Sequence, residues 1–191
     1  MVSTDATTQP ADPIPEAVLE ARERFVAAWG QMGSAWGISR TMAEVHALLF
    51  ITGEALCTDD FMSRLSISRG NASMSLRALL EWGVISRTHK RGDRKEYFEA
   101  ESDVWALFRS IVRERMKREV EPLVAGLYDL RTLTHGDSGK RANRPDAVTA
   151  AHNERLDDML EFFATMEKLS QRFVSPSGRG LETAAKLLSR L

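Results

Sequence analysis

The sequence contains a single cysteine, Cys57, so no disulfide can close within the chain. No apolar run is long enough to span a bilayer as a helix, which argues against an integral helical membrane protein. The first residues, MVSTDATTQPADPIP, lack both the basic start and the apolar stretch of a signal peptide. Residues 1–15 are therefore expected to form a disordered arm, and the protein is expected in the cytoplasm. The four histidines, His46, His89, His135 and His152, fall in different predicted elements without metal-ligand spacing. Glycine-rich phosphate loops, nucleophile elbows and paired catalytic carboxylates are likewise missing. These absences point away from an enzyme, a bound metal or a cofactor.

What is present is sharply localised. With 43% hydrophobic residues, 191 residues suffice for one good core. The formal charge is only −1. Residues 64–97, however, hold eight basic and three acidic side chains, a local charge of +5. Residues 1–63 hold three basic and nine acidic ones, a charge of −6. Positive charge focused on one segment is the electrostatic footprint expected of a nucleic-acid-binding surface.

The same segment carries a pattern of elements. Thr58 is placed to cap a short helix whose first turn has Asp59 and Asp60, with Phe61, Met62 and Leu65 on its inner side. Ser66 and Ile67 make a turn. Ser68 caps a second helix, which Gly83 ends. Ala72, Leu76, Leu79 and Leu80 share one face of that helix at a spacing of ~100° per residue. The opposite face carries Gly70, Asn71, Met74 and Arg77, with Arg69 and Ser73 at its edges. Such a face is small at its start and poor in carboxylates, as close approach to base edges requires. Asn pairs with adenine, Arg with guanine, and a Met methyl can meet a thymine methyl. A hairpin follows, with residues 84–88 outbound, Lys90-Arg91-Gly92-Asp93 in the turn and Tyr97 and Phe98 anchoring the return. Arg87, Lys90, Arg91, Arg94 and Lys95 make it basic, suited to phosphates or a minor groove.

Helix, tight turn, helix and basic hairpin in this order predict a winged helix-turn-helix that binds double-stranded DNA. The fold class expected is mainly α with a small β-hairpin wing. The DNA-binding candidates are Ser68, Arg69, Gly70, Asn71, Ser73, Met74, Arg77, Lys90, Arg91, Arg94 and Lys95. The alternative is a winged-helix module that docks protein without touching DNA.

The run ISRGNASMSLRALLEWGVISRTHKRGDRKEYFEAESDVW resembles the glycine-betaine-synthesis regulator (GbsR) branch of the MarR family. The likeness lies in Ser68-Arg69-Gly70-Asn71, Ser73-Met74-Ser75-Leu76-Arg77, Glu81-Trp82-Gly83, and Gly92-Asp93-Arg94-Lys95 before an aromatic pair. It spans roughly residues 44–105, and beyond that it is one of architecture. The wider family carries Asp-x-Arg in its wing, whereas this chain has Asp93-Arg94-Lys95. The resemblance implies a dimeric transcription regulator, a repressor by analogy, controlled by a small-molecule effector such as a choline-like cation.

The flanks are predicted to be helical. A helix from Glu16 to about Ser34 follows Pro15, and Ser39 caps a helix through Ile51. Ser102 caps a long helix reaching Leu127, which Pro122 can kink. A polar break follows at residues 134–145, then an amphipathic helix from Leu156 to Phe173 and a short last helix at residues 181–191. The domains expected are an arm at 1–15, an N-terminal dimerisation helix at 16–37, a winged helix at 38–101 and a helical dimerisation region at 102–191 with a loop at 134–148. Long apolar stripes on a small DNA-binding core suggest a homodimer reading a pseudo-palindromic operator. An intrachain helical bundle is the alternative.

Quaternary ammonium recognition needs aromatic faces converging on a cation. Trp29, Trp36, Trp105 and Phe108 are the candidates for such an effector site, and ordinary core packing is the competing role. Cys57 reads more readily as a small buried packing residue than as a redox sensor, because no neighbouring cation favours its thiolate.

Overall fold

The computed structural model describes residues 13–134 and 146–174. The expected arm up to residue 12, the core of the polar break and the last helix lie outside the described residues. The described chain divides into two compact units, one of residues 13–81 and 85–100, the other of residues 82–84, 101–134 and 146–174.

The first unit contains α1 (Glu16–Ala35), α2 (Arg40–Thr52), β1 (Leu56–Cys57), α3 (Thr58–Leu65), α4 (Arg69–Glu81), β2 (Ile85–Thr88) and β3 (Tyr97–Ala100). The predicted hairpin is present, and it is part of a larger sheet. β3 pairs antiparallel with β2 on one side and with β1 on the other, so the order is β1-β3-β2. Leu56 lies opposite Phe98 and Cys57 opposite Tyr97. A two-residue strand has too little periodicity to be seen in sequence.

Local chemistry explains the boundaries. The Ser39 side chain accepts from the Met42 amide, and Gly53 closes α2 in the left-handed conformation. At α3 the cap is Cys57, not Thr58: the Cys57 amide donates to Asp60 Oδ2 at 2.8 Å in a reciprocal capping box. Cys57 is buried there. Between α3 and α4 the chain turns through Ser66, a left-handed residue at φ 54°.

Phe61, Val45 and Leu49 form the most buried part of this unit's core, together with Ala47 and Ala72. α1 crosses α2 closely. A Cβ on Gly33 would lie 2.6 Å from the Ala43 Cβ. One on Gly30 would meet only the flexible Glu44 side chain, at 2.7 Å from Cγ. Phe25 stacks on Trp29 and on Phe50, and His46 packs between Trp29 and Phe50 at centroid distances of 6.0 and 6.1 Å. His46 is buried and its Nε2 has no hydrogen-bond partner among the described residues. Burial pushes its imidazole down to about 4, so it is held neutral.

The second unit contains α5 (Val104–Arg115), α6 (Glu121–Leu133) and α7 (Ala147–Val174). α5 is capped by Asp103, whose side chain accepts from the Trp105 amide at 2.8 Å, and not by Ser102 as the sequence suggested. The aspartate lies one residue nearer the first free amide. The expected single long helix is also interrupted. A π segment, Met116–Val120, joins α5 to α6, and Pro122, which has no amide hydrogen to donate, follows it in the first turn of α6. α7 packs on α5 and α6, with Arg131 forked onto Asp157 at 2.7 and 3.2 Å. Among the described residues no helix is long and apolar enough to cross a membrane.

Two predictions follow from the first unit's core. Gly33→Ala should destabilise it by about 1–3 kcal/mol in urea unfolding, because two packed backbones must separate. Gly30→Ala should not, because the Glu44 side chain can move aside; equal losses would contradict the close crossing. Second, His46 binds its proton far more weakly folded than unfolded. Stability should be intact above pH 6.5 and decline as the pH falls towards 4, by on the order of 3 kcal/mol. His46→Phe should flatten that decline in melting temperature between pH 7.5 and 4.5. A variant with an unchanged slope would assign the decline to other groups.

Candidate nucleic-acid interface

α4 presents two chemically distinct faces. Ala72, Ser75, Leu76 and Leu79 are buried, with Leu80 half-buried. Gly70, Asn71, Met74 and Arg77 are exposed, Met74 to 57%, and Ser73 is half-buried at the edge. The Ser68 hydroxyl accepts from the Asn71 amide at 3.2 Å, which starts the helix and leaves the Asn71 carboxamide free of that duty. Arg77 Nε touches only the Ser73 carbonyl of its own helix, at 3.3 Å. At Gly70 an added Cβ would meet nothing closer than Ser68 Oγ at 3.9 Å, so the helix start is open.

The wing is braced from inside. Its tip turns with the Asp93 amide donating to the Lys90 carbonyl at 3.1 Å and Gly92 at φ 85°. The Asp93 carboxylate accepts from the Lys95 amide at 3.0 Å and from the Tyr97 hydroxyl at 2.6 Å. These bonds hold the Asp93 carboxyl below its usual range, the Tyr97 contribution being largest, and push the Tyr97 phenol up to about 12. Lys90 stands over the Tyr97 ring, 4.3 Å from its centroid. Arg87 pairs with Glu96 at 2.8 Å across the hairpin.

The eleven DNA-binding candidates separate accordingly. Gly70, Asn71, Met74 and Arg77 lie on the exposed side of α4, with Ser73 at its edge and Ser68 exposed just before the helix. Arg91 and Arg94 are exposed and make no ion pair among the described residues. Lys90 and Lys95 are engaged within the protein. So is Arg69, whose Nη2 lies 2.7 Å from Asp59 Oδ1, while Lys95 Nζ lies 3.1 Å from Asp59 Oδ2. Asp59 was legible in the sequence only as a helix-start residue. Its partners are ten and thirty-six positions away, a relation that no local spacing reveals.

Comparison with known proteins adds a relationship to this geometry. No family model matches the chain. Over 147 residues, 76% of this chain and 79% of the other, it is 25% identical to the HTH-type transcriptional repressor GbsR of Bacillus subtilis (strain 168). The chain is thus similar to this repressor over most of its length. A crystal structure described as a transcriptional regulator superposes with a TM-score of 0.61 at 22% identity, covering 85% of this chain and 99% of that one; it establishes the shared fold. The adhesin competence repressor (AdcR) of Streptococcus pyogenes is 19% identical, covering 83% of this chain and 99% of its own, with a TM-score of 0.33.

The four aromatic effector candidates are divided between the two units. Trp29 and Trp36 belong to the first and Trp105 and Phe108 to the second. The helix does persist through Gly33, so Trp29 and Trp36 share α1 and its C-terminal cap. Trp29 is committed to the Phe25–His46 stack. Trp36 and Phe108 are exposed, and Trp105 is half-buried.

Proposed function

We propose that this GbsR relative is a sequence-specific DNA-binding transcriptional repressor that works as a homodimer in the cytoplasm. The observation that carries the reading is the exposed face of α4, where Asn71, Met74 and Arg77 face outwards, in the same unit as a wing whose Arg91 and Arg94 make no ion pair among the described residues. α4 is assigned to the major groove, with Asn71 and Arg77 reading base edges. Arg91 and Arg94 are assigned to phosphate or the adjacent minor groove.

The dimer is supported by apolar surface that one chain leaves uncovered. Leu123, Tyr128, Leu130, Met159, Phe162, Met166 and Leu169 on α6 and α7 are all exposed. A groove of about 510 Å³ runs between the α5–α6 arm and α7, floored by Met116, Val120, Val124, Leu160 and Phe163. Such surface on a DNA-binding chain fits the pairing of two subunits on a two-fold site. Release by a small-molecule effector is the finer form of this reading. Its support is the resemblance in the winged helix.

Electrophoretic mobility shift with DNA from upstream of the protein's own coding sequence, at two salt concentrations, tests the reading. Asn71→Ala or Arg77→Ala should cost about 1–3 kcal/mol on the specific site and relax preference at one base pair. Arg91→Ala or Arg94→Ala should weaken binding to every sequence and lower the salt slope by about one. Equal losses on specific and random DNA for the α4 variants would remove base reading. No shift at all would favour the protein-docking alternative. Added choline that abolishes the shift would support the effector class, and an unaltered shift would remove it.

A further inference from the structure

Asp59 stands on the first turn of α3 and uses both carboxylate oxygens on cations from two other elements, Arg69 at the start of α4 and Lys95 in the wing's connection just before β3. All three side chains are half or more exposed: Asp59 50%, Arg69 66% and Lys95 54%. An exposed ion pair contributes little to stability, so the fold gives no strong reason for this clamp. Capping of α3 does not require it either, since Asp60 makes the capping box. What the clamp does do is engage two of the interface's cations with a carboxylate set between them. It also ties the wing to the N-terminal end of α4, which fixes the distance between the two elements assigned to DNA.

We propose that Asp59 is a specificity-determining residue that restrains sequence-independent binding by holding Arg69 and Lys95 away from phosphate. The proposal rests on the DNA-binding reading above. Random DNA offers the protein only phosphates, and its affinity grows with each cation that can reach one. The clamp removes two such cations and adds a negative charge that the phosphate backbone repels. At the specific site Asn71 and Arg77 fix the register, so cations released from the clamp have less freedom to find phosphates there. Loss of the clamp therefore favours random DNA more than the operator.

The test compares wild type, Asp59→Asn and Asp59→Glu on operator and random duplexes over a range of salt. Asp59→Asn should bind random DNA about three- to ten-fold more tightly, with a salt slope steeper by one to two. Its operator-to-random ratio should fall, and Asp59→Glu should restore part of it. In an Arg69→Gln/Lys95→Gln background, Asp59→Asn should lose most of this gain, because the cations it would release are absent. Circular dichroism melting confirms that each variant folds; if Asp59→Asn does not, Asp59→Ser replaces it. An equal loss on both duplexes would make Asp59 a structural strap and overturn the proposal. Unchanged affinities and slopes would overturn it too. Wild-type protein that binds neither duplex would remove the DNA reading and this proposal together, whereas failure confined to Asp59→Asn removes the proposal alone.

Discussion

The functional surface depends on the burial of one side of α4. Ala72, Leu76 and Leu79 leave water as that helix packs against α2, and the side chains opposite them have no choice but to face outwards. Each buried leucine contributes about 1.5–3 kcal/mol against rotation of the helix, far more than any contact its polar face makes within the protein. The rotation of α4 is therefore set by hydrophobic packing alone. Asn71, Met74 and Arg77 are free to be selected for what they touch outside the chain. The close crossing of α1 on α2 at Gly33 supports the same helix from behind, because α2 is the surface on which both pack.

Electrostatics then sorts the cations that packing has exposed. Counting basic residues in the sequence makes the α4–wing segment uniformly positive. In the structure that charge is partly consumed: Arg87 by Glu96, Lys90 by the Tyr97 ring, and Arg69 and Lys95 by Asp59. Arg77, Arg91 and Arg94 keep their charge uncommitted to any carboxylate among the described residues. Three cations from three positions on one surface are a smaller and better-defined set of outward contacts than the local charge of +5 suggests. The Asp93–Tyr97 bond keeps the hairpin tip in register so that Arg91 and Arg94 project from a fixed platform.

The reach of the sequence follows the range of the forces involved. Helical spacing and cap residues act within four or five positions, so α4, its two faces, the Ser68 and Ser39 caps and the Gly92 turn were all legible. Competition between neighbours was less so. Cys57 rather than Thr58 caps α3, because Asp60 reaches back to the Cys57 amide, and Asp103 rather than Ser102 caps α5 for a similar reason of reach. The π segment at Met116–Val120 lies directly before Pro122, the residue that marked a kink in the sequence, but the form of the interruption had no local signature. β1 and the Asp59 clamp join residues far apart in the chain, and nothing in local periodicity encodes them.

The central claim is that α4 lies in the major groove in both halves of a dimer. Its most direct test is cleavage from a chelated iron attached at position 74, in a Met74→Cys protein whose buried thiol is removed as Cys57→Ser. On the operator, two clusters of strand cleavage separated by about one helical turn, roughly 34–36 Å, are expected. A shifted complex that gives a single cluster, or none, would contradict the account.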